Sequence, residues 1–393
     1  MIKRFIFNTL QKEIYQPEIN ILLGPRQVGK TTLLKQLQTY AKESGLTSSF
    51  FDLEQPQILA QFNNSETEII KILKNSGNIV FIDEFQYIQN ASKIFKAIYD
   101  ADKKIKIICS GSSSIEIHKH LKESLAGRKF IFRIYPLSFE EMKKIPCHLS
   151  DYLIYGGLPG LTNTKEPKRK RLILDELLSS YILKDIKSLI KEENIRAFNH
   201  LLYLLAQNQG SVVSMSNLAN QINLSAKAIS RYMDILEETY VNFRVHSYST
   251  NLGNELKKSC KNYLYDLGIR NALLKDFSSI KTRPDKGVLY ESFVYLALLP
   301  YLEPNMEIKF WRTKDGDEVD FILLHNRMPT PIEVKSTVSA PEIPKGITRF
   351  LLRYPNTKHA YIINENLTKK VMYKSCEINF ITFENIHSVT QNL

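Results

Sequence analysis

One octapeptide constrains the fold of this chain more than any other feature. Gly24-Pro25-Arg26-Gln27-Val28-Gly29-Lys30-Thr31 fits GxxxxGK[ST], Thr32 follows it, and it stands between an apolar run, INILL, and a segment of helical period, TTLLKQLQTY. The chemistry needs that order. Glycines let backbone N–H groups turn toward phosphate oxygens, and the helix behind them adds the positive end of its dipole. Lys30 then reaches the β and γ phosphates of ATP, and the Thr31 hydroxyl can join a Mg²⁺ shell. A strand, loop and helix of this kind predict a parallel α/β layer.

The neighbouring sequence supplies the rest of that layer. Five short apolar runs, INILL, SSFFDL, NIVFID, KIKIICS and KFIFRI, alternate with helical stretches up to about residue 134. Ile79-Val-Phe-Ile-Asp83-Glu84 is an apolar strand ending in two acids, which would bring Asp83 to magnesium and set Glu84 to polarise an attacking water. Glu84 favours hydrolysis over phosphoryl transfer to a metabolite. Ser110 and Ser112 end the fourth run and can sense a γ-phosphate, while Ser113 and Ser114 can equally cap a helix. Arg128, just before the fifth run, can stabilise phosphoryl charge in cis or across a subunit interface; its structural alternative is a surface ion pair.

Beyond residue 135 the patterns change. YPLSFEEM and YLIYGGLPGL are turn-rich, and KEPKRKR is an exposed basic run. The spacing then turns helical. Within SMSNLANQINLSAKAISRYMDILEETY, two short helices flank a turn at Asn223-Leu224-Ser225, with Ile229, Met233 and Leu236 inward and Ser225, Lys227, Ser230 and Arg231 on the opposite face. With the extended FRVHSYS this resembles a winged helix-turn-helix, a module that meets DNA or serves only for packing.

The C-terminal stretch carries a second constellation. Asp317-Glu-Val-Asp320 leads into FILL, and Pro331-Ile-Glu333-Val-Lys335 follows a turn. If the two form a hairpin, Asp320 meets Glu333 and Lys335, because residues i and i+2 of a strand share a face. Two carboxylates can hold Mg²⁺, and a lysine can orient or activate water against a phosphodiester. ExK alone is weak, since any solvated strand face can read that way. Trp311 reads as packing rather than a base-stacking platform.

Taken in order, GPRQVGKTTLL, IVFIDEFQ, SGSSS, LAGR, YPLSFEE and YGGLPG resemble a prokaryotic family of AAA-type ATPases with a C-terminal domain of the DUF4143 type. The resemblance spans nearly the whole chain. It implies a P-loop ATPase core of the ASCE/AAA type, a helical lid with a winged helix, and a C-terminal α/β domain similar to the PD-(D/E)xK (restriction-endonuclease-like) nucleases. It also implies a homo-oligomer. Asp320, Glu333 and Lys335 match the D…ExK pattern, and Glu291 stands where those nucleases carry a further acid on their first helix. Inactive descendants keep the shape as a binding platform, so nuclease and scaffold both remain open.

Charge and cysteine content bear on partners. Lys plus Arg is 53 against 41 for Asp plus Glu, a net of +12 with a pI near 9.2, which permits DNA or RNA as partner and also serves solubility alone. The four cysteines form no CxxC pair, and no run reaches the roughly 18 apolar residues of a membrane span. The expectation is a cytoplasmic Mg²⁺-dependent ATPase of three parts, 1–164, 165–254 and 255–393. Nucleotide state would couple to DNA through the last part; the competing class is an ATP-dependent assembly switch with an inactive scaffold.

Overall fold

The five apolar runs become one parallel sheet: β1 (Ile19–Gly24), β2 (Ser48–Asp52), β3 (Ile79–Asp83), β4 (Lys106–Ser112) and β5 (Lys129–Arg133), in the order β2-β3-β4-β1-β5. In this computed structural model residues 2–101, 103–112, 125–182, 195–249 and 260–391 are described. All six residues of β1 and all five of β3 are buried, which is why these runs are continuously rather than alternately apolar. Because β3, β4 and β1 are adjacent and parallel, their C-terminal ends gather Asp83, Ser112 and Gly24 along one edge. Ligands of open α/β sheets bind at that edge.

The chain divides into two compact units: Met1–Leu137 with Leu158–Thr162 and Ile235–Val241, and Ser138–Gly157 with Asn163–Asp234 and Asn242–Leu393. The first holds the parallel sheet, with helix α1 (Lys30–Glu43) after β1 and helix α2 (Ala91–Ala101) between β3 and β4. In the second, helix α3 (Ile195–Gln207) precedes β6 (Val212–Val213) and helix α4 (Met215–Ile222), and α5 (Ala226–Glu238) begins there, its residues from Ile235 belonging to the first unit. Asn223 takes the left-handed conformation that closes α4, and Ile229, Met233 and Leu236 are buried as their spacing requires. The Ser225 hydroxyl accepts from Ala228 N–H at 3.1 Å, so it caps α5 instead of facing a groove. Strand β7 (Asn242–Val245) pairs antiparallel with β8 (Cys260–Leu264), and β6 joins β8's other edge. Thus β8 belongs to the helix-turn-helix sheet, although its sequence reads with the C-terminal part; the expected 254/255 boundary itself lies outside the described residues.

After α6 (Leu267–Leu274) and α7 (Lys286–Leu298) comes a six-stranded sheet of β9 (Met306–Arg312), β10 (Glu318–His325), β11 (Met328–Val334), β12 (His359–Asn364), β13 (Lys369–Tyr373) and β14 (Cys376–Thr382). Its order is β13-β14-β12-β11-β10-β9. Helix α8 (Lys345–Arg353) crosses from β11 to the parallel β12. Asn326 and Arg327, both at positive φ, close the β10–β11 hairpin. Trp311 is buried edge-on against Phe350, as packing.

The YGGLPG segment has a local explanation. A Cβ on Gly156 would lie 2.2 Å from Asp266 Oδ1, while the Gly157 N–H donates to Asp266 Oδ2 at 2.8 Å. Asp266 also caps α6 through Ile269 N–H. Burial pushes this carboxyl up to about 6 against the backbone donors that favour its charge.

Candidate functional sites

The phosphate loop is built mainly from backbone. Gln27 and Gly29 have φ of 60° and 92°, which turns the chain before helix α1 (Lys30–Glu43) begins. Gly24 admits no side chain, because a Cβ there would stand 2.2 Å from the Ile134 carbonyl oxygen. Pro25 and Val28 are buried, Arg26 and Thr31 half-buried, and Gln27 and Thr32 exposed. The buried Lys30 ammonium donates to the Gly24 and Pro25 carbonyls, each at 2.9 Å, which holds it at the mouth of the loop. These side chains fit a nucleotide phosphate with its magnesium.

Asp83 ends β3 in the buried layer, where the Ser110 hydroxyl donates to it. Ser110 is itself buried, as Lys30 and Asp83 are, and its hydroxyl supports Asp83. Glu84 takes a left-handed φ of 55°, which ends the strand, and Gln86 donates to its carboxylate. Ser112 closes β4 beside Gly24 in the register; its side chain, and Ser113 and Ser114 altogether, lie outside the described residues. Arg128 is the residue that geometry moves away. Lys129 pairs with Ile19, so Arg128 stands at the N-terminal ends of the strands, opposite the phosphate loop, and pairs with Asp100 at 2.7 Å. A role in cis is therefore excluded by the length of β1.

One contributor escaped the sequence reading. Arg4 donates through Nη1 to the Val28 carbonyl at 2.8 Å and through Nη2 to the Tyr135 carbonyl at 2.6 Å, tying the loop to the chain just after β5. No motif marks it.

The C-terminal constellation converges through side chains. Asp320 lies at an irregularity in the β9–β10 register, and its Oδ2 accepts from Val334 N–H at 2.8 Å. Lys335 Nζ donates to Glu333 Oε1 at 2.7 Å, while Glu333 Oε2 is buried without a hydrogen-bond partner. Glu291, on α7, accepts at Oε1 from Lys261 at 2.9 Å and from Tyr263 at 2.5 Å. Both donors come from one face of β8. Lys261 also pairs with Glu318 at 2.7 Å and approaches Asp320 Oδ1 to 4.0 Å. The expected four residues are thus brought together, and Lys261, Tyr263 and Glu318 join them unannounced.

Burial and the charge of Asp320 raise both Glu291 and Glu333 to about 7, although Lys261 and Lys335 respectively pull them down. Asp320 is raised by burial against the same lysines. Burial would lower Lys261 and Lys335, yet the surrounding carboxylates win and hold both ammoniums above their ordinary range. The charged form of Lys335 is thereby favoured, and an ammonium there can orient a water or stabilise negative charge. Among the described residues no group of three or more His, Cys, Asp or Glu is arranged to hold a metal. The Asp320–Glu333 pair, with its unpartnered buried oxygen, fits one divalent ion.

Three family models match stretches of this chain. Residues 16–143 match an AAA domain and residues 286–382 match the domain of unknown function DUF4143; residues 147–279 match another, DUF8612. The chain belongs to the AAA-type ATPase family with a C-terminal DUF4143 domain. Relatives within reach of sequence comparison include an uncharacterized protein of Mycobacterium tuberculosis, 25% identical over 347 residues (87% of this chain, 76% of that protein). Another, from Haemophilus influenzae, is 26% identical over 330 residues (77% and 79%). Among solved structures, the Aeropyrum pernix ORC1 protein in complex with DNA aligns at TM-score 0.29 and 11% identity, covering 69% of this chain and 91% of that one. AMPPCP-bound DnaA from Aquifex aeolicus aligns at 0.29 and 15%, covering 59% and 86%. As a family member the chain carries a P-loop core for binding ATP, and no helix among its described residues is long and apolar enough to cross a membrane.

Proposed function

We propose that this protein is a cytoplasmic, Mg²⁺-dependent ATPase whose nucleotide state governs how a PD-(D/E)xK-like C-terminal domain engages DNA. One observation carries the reading: a complete hydrolytic set, Lys30, Thr31, Asp83 and Glu84, shares a chain with the converged Asp320, Glu333, Lys335 and Glu291. Lys30 binds the β and γ phosphates, Thr31 and Asp83 hold the magnesium that neutralises them, and Glu84 orients the attacking water. The succession α7, β9, β10, β11, α8, β12 supports the nuclease-like assignment, with the acids on α7, β10 and β11. Functionally we divide the chain into 1–164, 165–254 and 255–393. Arg128 would serve a neighbouring protomer's phosphate in a homo-oligomer, since it stands away from its own. The four cysteines, with no CxxC spacing among them, support the cytoplasmic location.

The deciding experiment measures ATP turnover with and without DNA, and plasmid or single-strand cleavage with Mg²⁺ or Mn²⁺ against Asp320→Ala and Lys335→Ala. DNA-stimulated turnover ties both ends of the chain to one activity. Turnover indifferent to DNA, with no cleavage in any nucleotide state, overturns the reading in favour of the second one, an ATP-dependent assembly switch with a scaffold domain. That second reading is favoured by Lys261, whose ammonium already sits among the acids.

A further inference from the structure

The acid cluster contains a cation that the chain itself supplies. Lys261 is buried, its side chain 2% exposed, and its Nζ lies 2.9 Å from Glu291, 2.7 Å from Glu318 and 4.0 Å from Asp320. It arrives from β8, a strand of the helix-turn-helix sheet, and not from the sheet that carries Asp320 and Glu333. Two further features of that same side of the molecule fix the arrangement. Tyr263, two residues on, donates to the same Glu291 oxygen, and a Cβ on Gly210 would meet the Glu291 carboxylate at 3.2 Å. Glu291 is therefore held from the helix-turn-helix side by a cation, a hydroxyl and a close backbone approach.

Charge bookkeeping separates the two halves of the cluster. Glu318 has a second, exposed partner in Arg312 at 3.7 Å, and Lys335 is committed to Glu333. Lys261 then stands at the point where a divalent ion bound by Glu291 and Glu318 would have to sit. At such separations like charges repel strongly in a buried setting, so ammonium and metal ion exclude each other. The other half differs, because Glu333 Oε2 has no hydrogen-bond partner and Asp320 faces it.

We propose that Lys261 is a resident, protein-supplied cation of this cluster, which closes the Glu291–Glu318 side to metal and leaves Asp320 and Glu333 as the place where one divalent ion enters. The inference rests on the metal-bearing reading of the C-terminal domain given above. It makes Lys261 a positioning residue: the ammonium occupies the space between Glu291 and Glu318 and sets how many metal ions the site admits.

The test counts Mn²⁺ bound to the full-length chain by electron paramagnetic resonance without nucleotide, with Asp83→Asn in every sample so that the phosphate loop contributes none. The expected result is one ion for the parent and a second for Lys261→Met, or a single ion bound about tenfold more tightly. Lys261→Arg, which keeps the charge, should behave as the parent. Should Lys261→Met fail to fold, Lys261→Gln keeps a donor to Glu291 without the charge, and recovery of either variant by Mn²⁺ in a thermal melt reads the same exchange. Two ions in the parent, or equal number and affinity in parent and variant, including none in both, overturn the proposal. No ion in the parent but one in the variant upholds Lys261 as the excluding cation while removing the metal from the Asp320–Glu333 reading, so the two failures are distinguishable.

Discussion

The two sites of this molecule are made from different materials. The nucleotide site is a stretch of backbone bent by glycine and left-handed residues over eight consecutive positions, with Asp83 and Glu84 added from the end of β3, one strand removed from β1. The C-terminal cluster is made of side chains gathered from positions 261, 291, 318, 320, 333 and 335, on four elements. Backbone amides carry no net charge and need no counter-ion, so the first site is stable while it waits for a ligand. The second confines several carboxylates and two ammoniums, and its balance shifts with every proton or metal ion that enters.

Substitutions can break or sharpen that contrast. The largest effect should come from Glu84→Gln, which ought to slow ATP turnover by about 100-fold or more while ATP affinity stays within a few fold; retained turnover would remove Glu84 from the mechanism. Lys30→Ala loses a charge-assisted contact to phosphate, and equilibrium binding of a fluorescent ATP analogue should weaken by roughly 10- to 100-fold. Gly24→Ala tests the backbone character directly. Its added methyl meets the Ile134 carbonyl at 2.2 Å, so the protein should lose about 1–3 kcal/mol or more in a denaturant melt, even without nucleotide.

The charged site should respond in the opposite direction. Glu333 is held near 7 in the fold against about 4.5 in the unfolded chain, so its contribution to stability is present at low pH and is lost as pH rises between those values. Glu333→Gln should therefore raise the melting temperature at pH 8 by roughly 2–4 °C, and leave it unchanged near pH 4. A drop at pH 8 would mean that the ion pair with Lys335 outweighs burial. The smallest effect on stability and ATP affinity belongs to Arg128→Ala. Its partly exposed pair with Asp100 adds little to the fold. ATP affinity should stay within about twofold, while turnover should fall by roughly 100-fold or more and lose its dependence on protein concentration.

The same contrast explains what the chain discloses before it is folded. GPRQVGKT is contiguous because one turn of backbone must wrap one phosphate group, and the order of β1, β3 and β4 follows from it. The D…ExK residues are nearly as visible, since Asp320 and Glu333 face each other across one hairpin. Lys261 and Glu318 were silent for a physical reason: a lone lysine in a strand and one acid among several in GDEVD acquire meaning only when β8 reaches the C-terminal cluster. Arg128 left two readings open in the sequence, and the parallel register decides between them: it stands at the far end of β1, which removes the role in cis and leaves the one across a subunit interface. Ser110 gains a partner that no motif announces, because β4 lies beside β3 and brings its hydroxyl to Asp83.

Arg4 has a consequence for modularity. A phosphate loop with its flanking strand and helix looks like a portable piece, one that evolution or an engineer could lift from residues 19–43 into another sheet. Here the Val28 carbonyl at the loop's crest is held by a guanidinium from outside that piece, and the same guanidinium grips Tyr135 beyond the last strand of the sheet. The first residues and the end of the sheet thus act as a clasp, and a graft without the clasp would carry the motif but not its shape.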